Sequence, residues 1–256
     1  MTEKKNGFVA MLDILGFSDR VAMDAEVHGL DVYVETVIKV SRPLDIRVIL
    51  FSDTVVLFTL DDSPKAFDEI LKACSQVLYA LLEKKIPMRG AIAHGSFRTS
   101  EGPTHGAVIA GRPIIEAHHY ESQLQWIGVM IAPSVGRHMP ELFSLPPIDG
   151  RRSEESSIQY FQRMYRQARL QPYPRIPLEA RGGQLEPFYG LAVIPTSPDW
   201  NDIHHTGMDV TDVLDWLELL KLLSPDPRSQ AKYENTKAFL APIRDTWNTC
   251  APPART

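Results

Sequence analysis

The segment Phe8-Val9-Ala10-Met11-Leu12-Asp13, continued by Ile14-Leu15-Gly16-Phe17-Ser18, is the most informative part of this sequence. Its first six residues form a short apolar run that ends in an aspartate, and the glycine that follows permits a turn into a helix. A strand that ends in this way places a carboxylate beside several backbone N–H groups. Because this combination suits a polyphosphate bound with a metal ion, the segment predicts a phosphate site.

A second aspartate, Asp53, lies in the segment Ile49-Leu50-Phe51-Ser52-Asp53-Thr54-Val55. Ser52-Asp53 is a two-residue polar break between apolar runs, which predicts the tip of a β-hairpin. If this hairpin lies beside the first strand, the carboxylates of Asp13 and Asp53 meet at one edge of the sheet. Either aspartate alone is more simply a helix cap or a turn residue, but the pair with its flanking residues favours a site for cations.

The first third of the chain alternates between strand and helix patterns. It predicts an α+β fold, namely a ferredoxin-like βαββαβ core whose two helices lie on one face of an antiparallel sheet. The predicted elements are a strand over Gly7–Leu12, a helix over Arg20–Lys39, a hairpin of Ile46–Phe51 and Thr54–Leu60, a helix opening at Ser63-Pro64, and a strand over Met88–Gly95.

The later part is less regular, and it predicts an additional C-terminal strand and helices. The expected elements are two short strands within 96–111, a helix opening at Arg112-Pro113, a strand over Ile127–Ile131, a helix over Ser157–Arg169, a loop over Leu170–Pro187, an edge strand over Tyr189–Ile194, and helices over Val210–Leu223 and Arg228–Trp247. We divide the chain into a core of residues 7–132 and an extension of residues 133–256 that packs on it.

Composition limits the possible functions. The chain has 256 residues, 44% of them hydrophobic, and a formal net charge of −5, which gives no reason to expect nucleic-acid binding. It has only two cysteines, Cys74 and Cys250, as suits a reducing compartment. Neither a signal peptide nor an apolar segment long enough to span a bilayer is evident, so we expect a cytoplasmic protein without a membrane partner.

Three motifs together resemble class III nucleotidyl cyclases, and more closely the bacterial pyrimidine cyclases of the Pycsar antiphage systems. They are Leu12–Ser18, Phe51–Thr54 and Met88–Gly95, and the resemblance covers roughly residues 7–132. It implies cyclisation of a nucleoside triphosphate to a 3′,5′-cyclic nucleotide with release of pyrophosphate. It also implies two Mn²⁺ or Mg²⁺ ions per site, a homodimer with shared active sites, and a cyclic product that acts on a separate effector protein.

The resemblance assigns roles to the first two motifs. Asp13 and Asp53 would hold the metal ions, with the carbonyl of Ile14 as a further ligand. The turn Leu15-Gly16-Phe17-Ser18 would bind the β- and γ-phosphates, together with Ile14, through its N–H groups. Gly16 would allow the backbone to approach the phosphates closely.

The chain departs from the purine-specific members of the family at two positions. Those enzymes carry an Asn and an Arg where this chain has Ile115 and His119. Arg89 and Arg112 are the nearest cations that could replace the Arg, and His119 could do so only when protonated. We assign Arg89 to the catalytic set, with Arg112 and His119 in the substrate site; a solvated first-turn residue is an equally good interpretation of Arg112.

The base pocket is less clearly encoded. Candidate lining residues are Phe8, Leu50, Phe51, Ile92 and His94, of which only His94 has a polar group that could read a base edge. Phe51 and His94 therefore complete the predicted substrate site. The resemblance favours UTP as substrate, then CTP, then a purine triphosphate, and lastly a catalytically dead dimer that only binds nucleotide.

Two histidine pairs, His118-His119 and His204-His205, do not predict zinc sites. Neighbouring residues of a helix point about 100° apart, and no further ligand lies at metal-binding spacing. We interpret them as surface or interface histidines.

Overall fold

The computed structural model describes residues 3–17, 28–102, 106–140, 170–172, 191–193, 210–224 and 226–250. In chain order the elements are β1 (Glu3–Ile14), α1 (His28–Ser41), β2 (Arg47–Phe51), β3 (Thr54–Phe58), α2 (Pro64–Glu83), β4 (Met88–Gly102), β5 (Gly106–Gly111), α3 (Arg112–Gln123), β6 (Gly128–Ile131), α4 (Pro133–His138), β7 (Leu170–Pro172), β8 (Leu191–Val193), α5 (Val210–Leu223) and α6 (Pro227–Cys250).

The described strands form one mixed sheet in the order β2-β3-β1-β4-β6-β8-β7, and β5 pairs with the second half of β4. Within the group β2-β3-β1-β4, every pair of neighbouring strands is antiparallel. β6 runs parallel to β4. With α1 between β1 and β2 and α2 between β3 and β4, this is the ferredoxin-like arrangement. The predicted α+β fold and βαββαβ core are confirmed.

Local sequence signals explain where the key elements begin. Ser63 caps α2, because its Oγ accepts a hydrogen bond of 3.1 Å from the N–H of Ala66, and Pro64 occupies the first turn. Ser52 takes a positive φ of 55°, which the two-residue turn between β2 and β3 requires. The hairpin tip at Ser52-Asp53 is therefore confirmed.

The sheet is covered on both faces. On one face α1 and α2 bury Tyr33, Phe67 and Ile70 against inward-facing strand residues such as Phe8 and Leu12. On the other face α3 packs against β4 and β1, with Ile114, Met11 and Val9 among the contributing side chains.

The two C-terminal helices join the same body. Val213 and Leu217 of α5 and Tyr233 of α6 pack with Leu15 and with Trp126, which lies in the connection between α3 and β6. Hydrogen bonds fix this contact: the N–H of Ile127 donates to Thr236 Oγ1 (2.8 Å), and Asn235 Nδ2 donates to the carbonyl of Gln125 (2.9 Å).

Several predicted boundaries need correction. The strand within Tyr189–Ile194 is not at an edge, because β8 pairs with both β6 and β7, and β7 lies inside the predicted loop Leu170–Pro187. β4 continues to Gly102, and the first helix is seen from His28 to Ser41. The predicted helix over Ser157–Arg169 lies outside the described residues.

The helices Val210–Leu223 and Pro227–Cys250 agree with prediction within a few residues at each end. The division of the chain at residue 132 stays a prediction. Within the described ranges, no helix combines the length and the apolar character needed to cross a membrane.

Candidate active site

Asp13 and Asp53 lie next to each other at the end of two neighbouring strands. The β1–β3 register places Asp13 opposite Thr54, and the N–H of Ile14 donates to the carbonyl of Asp53 (3.2 Å). Thr54 Oγ1 donates to Asp13 Oδ1 at 3.4 Å, which orients that carboxylate. Both aspartates are partly buried. The pair that the sequence predicted is therefore present as a juxtaposition of two carboxylates at one edge of the sheet.

The surroundings of Asp13 favour its protonated form. Burial raises the pKa of its carboxyl to about 6, and the carboxylates of Glu121 and Asp53 act in the same direction. The guanidinium of Arg89 and the Thr54 hydrogen bond oppose this rise without cancelling it. An excess of negative charge over positive charge is what a divalent cation would neutralise, and carboxylate and carbonyl oxygens are the ligands that Mg²⁺ and Mn²⁺ prefer. The residues present thus fit the predicted ions.

Arg89 lies opposite Asp13 on β4, but its guanidinium is engaged elsewhere. Its Nε donates to Glu121 Oε1 (2.8 Å), and its Nη1 donates to the carbonyl of Leu124 (2.9 Å). Glu121 is only 4% exposed, so the ion pair is well shielded from water. This geometry holds Arg89 beside the aspartates as a fixed positive charge; its catalytic role stays a prediction.

The turn after β1 uses part of its hydrogen-bonding capacity within the protein. The N–H of Leu15 donates to the carbonyl of Pro87 (2.9 Å), and that of Ile14 is bound to Asp53. These two N–H groups are therefore hydrogen-bonded within the protein. Gly16 has a φ of +73°, in the left-handed region that favours glycine. The phosphate-binding prediction now rests on Gly16, Phe17 and Ser18, the last of which lies outside the described residues.

Of the remaining predicted substrate residues, the structure places Phe51 near the aspartates and Arg112 away from them, next to Gly111, which pairs with Phe97 eight positions along β4 from Arg89. Phe51 is 77% exposed at the end of β2, immediately before the hairpin tip. Arg112 and His119 are exposed on α3. The Nε2 atoms of His119 and Gln123 lie 2.9 Å apart. Their roles stay predictions.

His94 lies five positions along β4 from Arg89, or about 17 Å at the usual rise of a strand. Its Nε2 is 3.3 Å from Asp62 Oδ2, and its ring stacks on that of His138. Burial and the neighbouring His138 lower the pKa of His94, against the opposing effect of Asp62. A base-reading role for His94 stays a prediction.

Sequence reasoning missed three groups that surround the aspartates. Besides Glu121, these are Tyr33 of α1 and Lys232 of α6. Burial raises the pKa of the Tyr33 hydroxyl, and the charges of Asp53 and Asp13 add to the effect. Burial and the charge of Arg89 lower the pKa of Lys232. A single charged residue on the otherwise apolar face of α3 was the signal that could have identified Glu121, whereas only the packing of α6 reveals Lys232.

No family model matches this chain, and no curated protein matches it. Solved structures do. The guanylyl cyclase Cya2 superposes with a TM-score of 0.50 at 12% sequence identity, over 78% of this chain and 96% of that one. The catalytic core of a rhodopsin-guanylyl cyclase with converted specificity, in complex with ATPalphaS, gives 0.49 at 11% identity, over 76% and 98%.

A class III adenylyl cyclase-like ATP-binding protein from Pseudomonas aeruginosa gives a TM-score of 0.47 at 13% identity, over 64% of this chain and 40% of that one. At these identities the comparisons concern the fold alone, and the superposition on Cya2 supports it. The fold of this chain is that of class III nucleotidyl cyclase catalytic domains.

Proposed function

We propose that this protein is a nucleotidyl cyclase, which converts a nucleoside triphosphate into a 3′,5′-cyclic nucleotide and pyrophosphate. The observation that supports this most strongly is the juxtaposition of Asp13 and Asp53 at the end of neighbouring strands in a cyclase-type sheet. Burial and the neighbouring carboxylates raise the pKa of Asp13 despite the positive charge of Arg89, so cations bound at this edge would offset the remaining negative charge.

The reaction requires the ribose 3′-oxygen to bond to the α-phosphorus while the bond from that phosphorus to the β-phosphate bridging oxygen breaks. The carboxylates of Asp13 and Asp53, with the carbonyl of Ile14, would hold two Mn²⁺ or Mg²⁺ ions. When bound, these ions lower the pKa of the 3′-hydroxyl and offset the charge that develops on the phosphoryl oxygens.

The protein's own groups would prepare this site. Thr54 orients the Asp13 carboxylate through its hydrogen bond. Arg89, fixed by Glu121, contributes positive charge beside the aspartates without needing to reorganise during the reaction. Gly16, Phe17 and Ser18 would bind the departing phosphates.

For the substrate we propose UTP, with CTP as the next candidate. The support is the absence, at Ile115 and His119, of the Asn and Arg that the purine enzymes carry. Phe51 offers an exposed aromatic face near the site, and a polar group that reads the base edge would be needed to discriminate strongly between pyrimidines. A purine cyclase is equally consistent with the fold, and a dimer that binds nucleotide without turnover is the weakest alternative because both aspartates are present.

We also propose that the enzyme acts as a homodimer in the cytoplasm, and that its cyclic product signals to a separate effector in antiphage defence. This part of the proposal depends on the resemblance of the three motifs to the pyrimidine cyclases.

The test is to incubate the purified protein with each of the four ribonucleoside triphosphates and Mn²⁺, and to separate the products chromatographically. Cyclic UMP as the main product supports the proposal, cyclic AMP or GMP as the main product contradicts the pyrimidine assignment, and absence of any cyclic product contradicts the enzyme assignment.

The variant Asp53→Ala should lower turnover at least about 100-fold, because metal-ion stabilisation of the transition state is worth several kcal/mol. Asp45→Ala removes an exposed carboxylate just before β2 and is the matched control. Near wild-type turnover in Asp53→Ala would contradict the metal assignment.

A further inference from the structure

We propose that Asp62, His94 and His138 form a Zn²⁺ site, distinct from the aspartate pair of the proposed cyclase site. The three residues come from different elements: the loop between β3 and α2, the middle of β4, and the end of α4. Their ligand atoms all lie within 4.8 Å of one another.

The distances are close to those that a zinc ion requires. His94 Nε2 lies 3.3 Å from Asp62 Oδ2, and His138 Nε2 lies 3.9 Å from the same oxygen. Tetrahedral Zn²⁺ with ligands at about 2.0–2.1 Å holds its ligand atoms roughly 3.4 Å apart. The third pair, His94 and His138, also lies within 4.8 Å, and rotation about the side-chain torsions has to bring the three ligand atoms around one ion.

The supporting contacts hold two of the ligands in place. The N–H of His94 donates to Ser134 Oγ (2.9 Å). The rings of His94 and His138 stack with their centroids 3.8 Å apart and their planes 9° from parallel, and Phe8 packs against both. Because parallel stacked rings do not aim both nitrogen lone pairs at one point, zinc binding requires the two rings to turn out of this stack.

His138 Nε2 also lies 3.0 Å from the backbone carbonyl of Asp62. Without a metal, this nitrogen can carry the proton and donate to that carbonyl. Zinc binding requires the other tautomer, in which Nδ1 carries the proton and Nε2 presents its lone pair. The hydrogen bond to the carbonyl is then exchanged for a metal–nitrogen bond.

The chemistry of the donor set selects the metal. Two imidazoles and one carboxylate are typical ligands of Zn²⁺, whereas Mg²⁺ and Ca²⁺ prefer oxygen ligands. The side chains of His94, His138 and Asp62 are 16%, 32% and 38% exposed. Solvent can therefore reach the site and supply a water as fourth ligand.

The site is also separated from the aspartate pair. Asp62 follows β3, whereas Asp53 precedes it, so the two lie at opposite ends of that strand. Zinc here would join the loop before α2 to the end of α4, and its first effect would be on stability rather than on chemistry.

The experiment measures Zn²⁺ binding to protein stripped with EDTA, by competition against a chromophoric chelator, followed by thermal unfolding with and without the metal. We expect wild type to bind one Zn²⁺ that survives the change Asp53→Ala. His138→Ala and Asp62→Asn should each weaken binding by at least about 100-fold, since even residues that only support metal ligands contribute 10- to 100-fold.

His118→Ala is the matched control, because His118 is an exposed histidine on α3 that lies outside the cluster. It should bind zinc as wild type does. Co²⁺ in place of Zn²⁺ should give the intense visible absorption of a tetrahedral site in wild type and not in His138→Ala.

Three results would overturn the proposal: wild type that binds no Zn²⁺, a His138→Ala variant with wild-type affinity, or loss of zinc in Asp53→Ala. Circular dichroism of Asp62→Asn, which preserves side-chain volume, would establish that lost binding is not lost folding.

Discussion

Asp13 is the residue at which the stability of the fold and the chemistry of the site oppose each other. Its carboxyl is partly buried beside Glu121 and Asp53, and its pKa is about 6 in the folded protein against 3.8 in an unfolded chain. The folded state therefore holds the proton more tightly. The contribution of the protonated Asp13 carboxyl to the free energy of unfolding is complete below about pH 4, and it is lost as the pH rises through 6.

We predict that Asp13→Asn is more stable than wild type at pH 7.5 in EDTA, because Asn stays neutral at every pH. After discounting for solvent screening of a half-buried group, the expected gain is about 1–2 kcal/mol in the free energy of unfolding, and it should vanish near pH 4. Urea unfolding at the two pH values measures it. Asp45→Asn, at an exposed position, should change little at either pH.

If Asp13→Asn is as stable as wild type or less stable at pH 7.5, the charge of Arg89 lowers the pKa of Asp13 by more than burial raises it. The same variant should lose turnover, since an amide is a poor ligand for a divalent cation. A stabilised but inactive variant is the combination expected of a functional carboxylate.

At the level of elements, one buried hydroxyl contributes to the attachment of α6 to the core. Thr236 is 0% exposed; its Oγ1 accepts from the N–H of Ile127 (2.8 Å) and donates to the carbonyl of Lys232 (2.7 Å). We predict that Thr236→Val lowers the free energy of unfolding by about 1–3 kcal/mol, because it leaves the Ile127 N–H without an acceptor in a buried position.

Thr236→Ser is the matched control for this prediction. It keeps the hydroxyl and removes one methyl group, so its cost should be about 1 kcal/mol or less. Denaturant unfolding of both variants separates the two effects, and a Ser variant that is as destabilised as the Val variant would contradict the hydrogen-bond explanation.

Local signals were sufficient for many of these elements. Ser63-Pro64 fixed the start of α2, and the polar break at Ser52-Asp53 fixed the hairpin, because capping and turn preferences act over a few residues. Asp13 and Asp53 could be placed together for the same reason, since the hairpin follows the first strand in a small antiparallel sheet.

Contacts between distant segments could not be predicted in this way. Arg89 and Glu121 are 32 residues apart, and their ion pair depends on how α3 packs on β4. Likewise, His94 and His138 both approach the carboxylate of Asp62, because the β3–α2 loop and α4 reach the same end of the sheet. No residue spacing encodes such a meeting point.

For the whole molecule, we predict that activity requires two chains. The sequence contains one copy of the Asp13 and Asp53 motifs, and the class III resemblance implies sites that take residues from both subunits. Activity per mole of enzyme should therefore fall on dilution below the dimer dissociation constant. Assays at serial dilutions, paired with light scattering at the same concentrations, test this; a monomer that still cyclises nucleotide would contradict it.

The position of Leu15 has a practical consequence for anyone who would trim this protein to a minimal enzyme. This residue lies two positions after Asp13 in the predicted phosphate-binding turn, yet it is 7% exposed because it is packed with Leu217 and Tyr233 of the last two helices. A chain ending after residue 140 would uncover Leu15 together with Trp126 and create an apolar surface prone to aggregation. We therefore expect a core cut at this point to need those two helices for its stability.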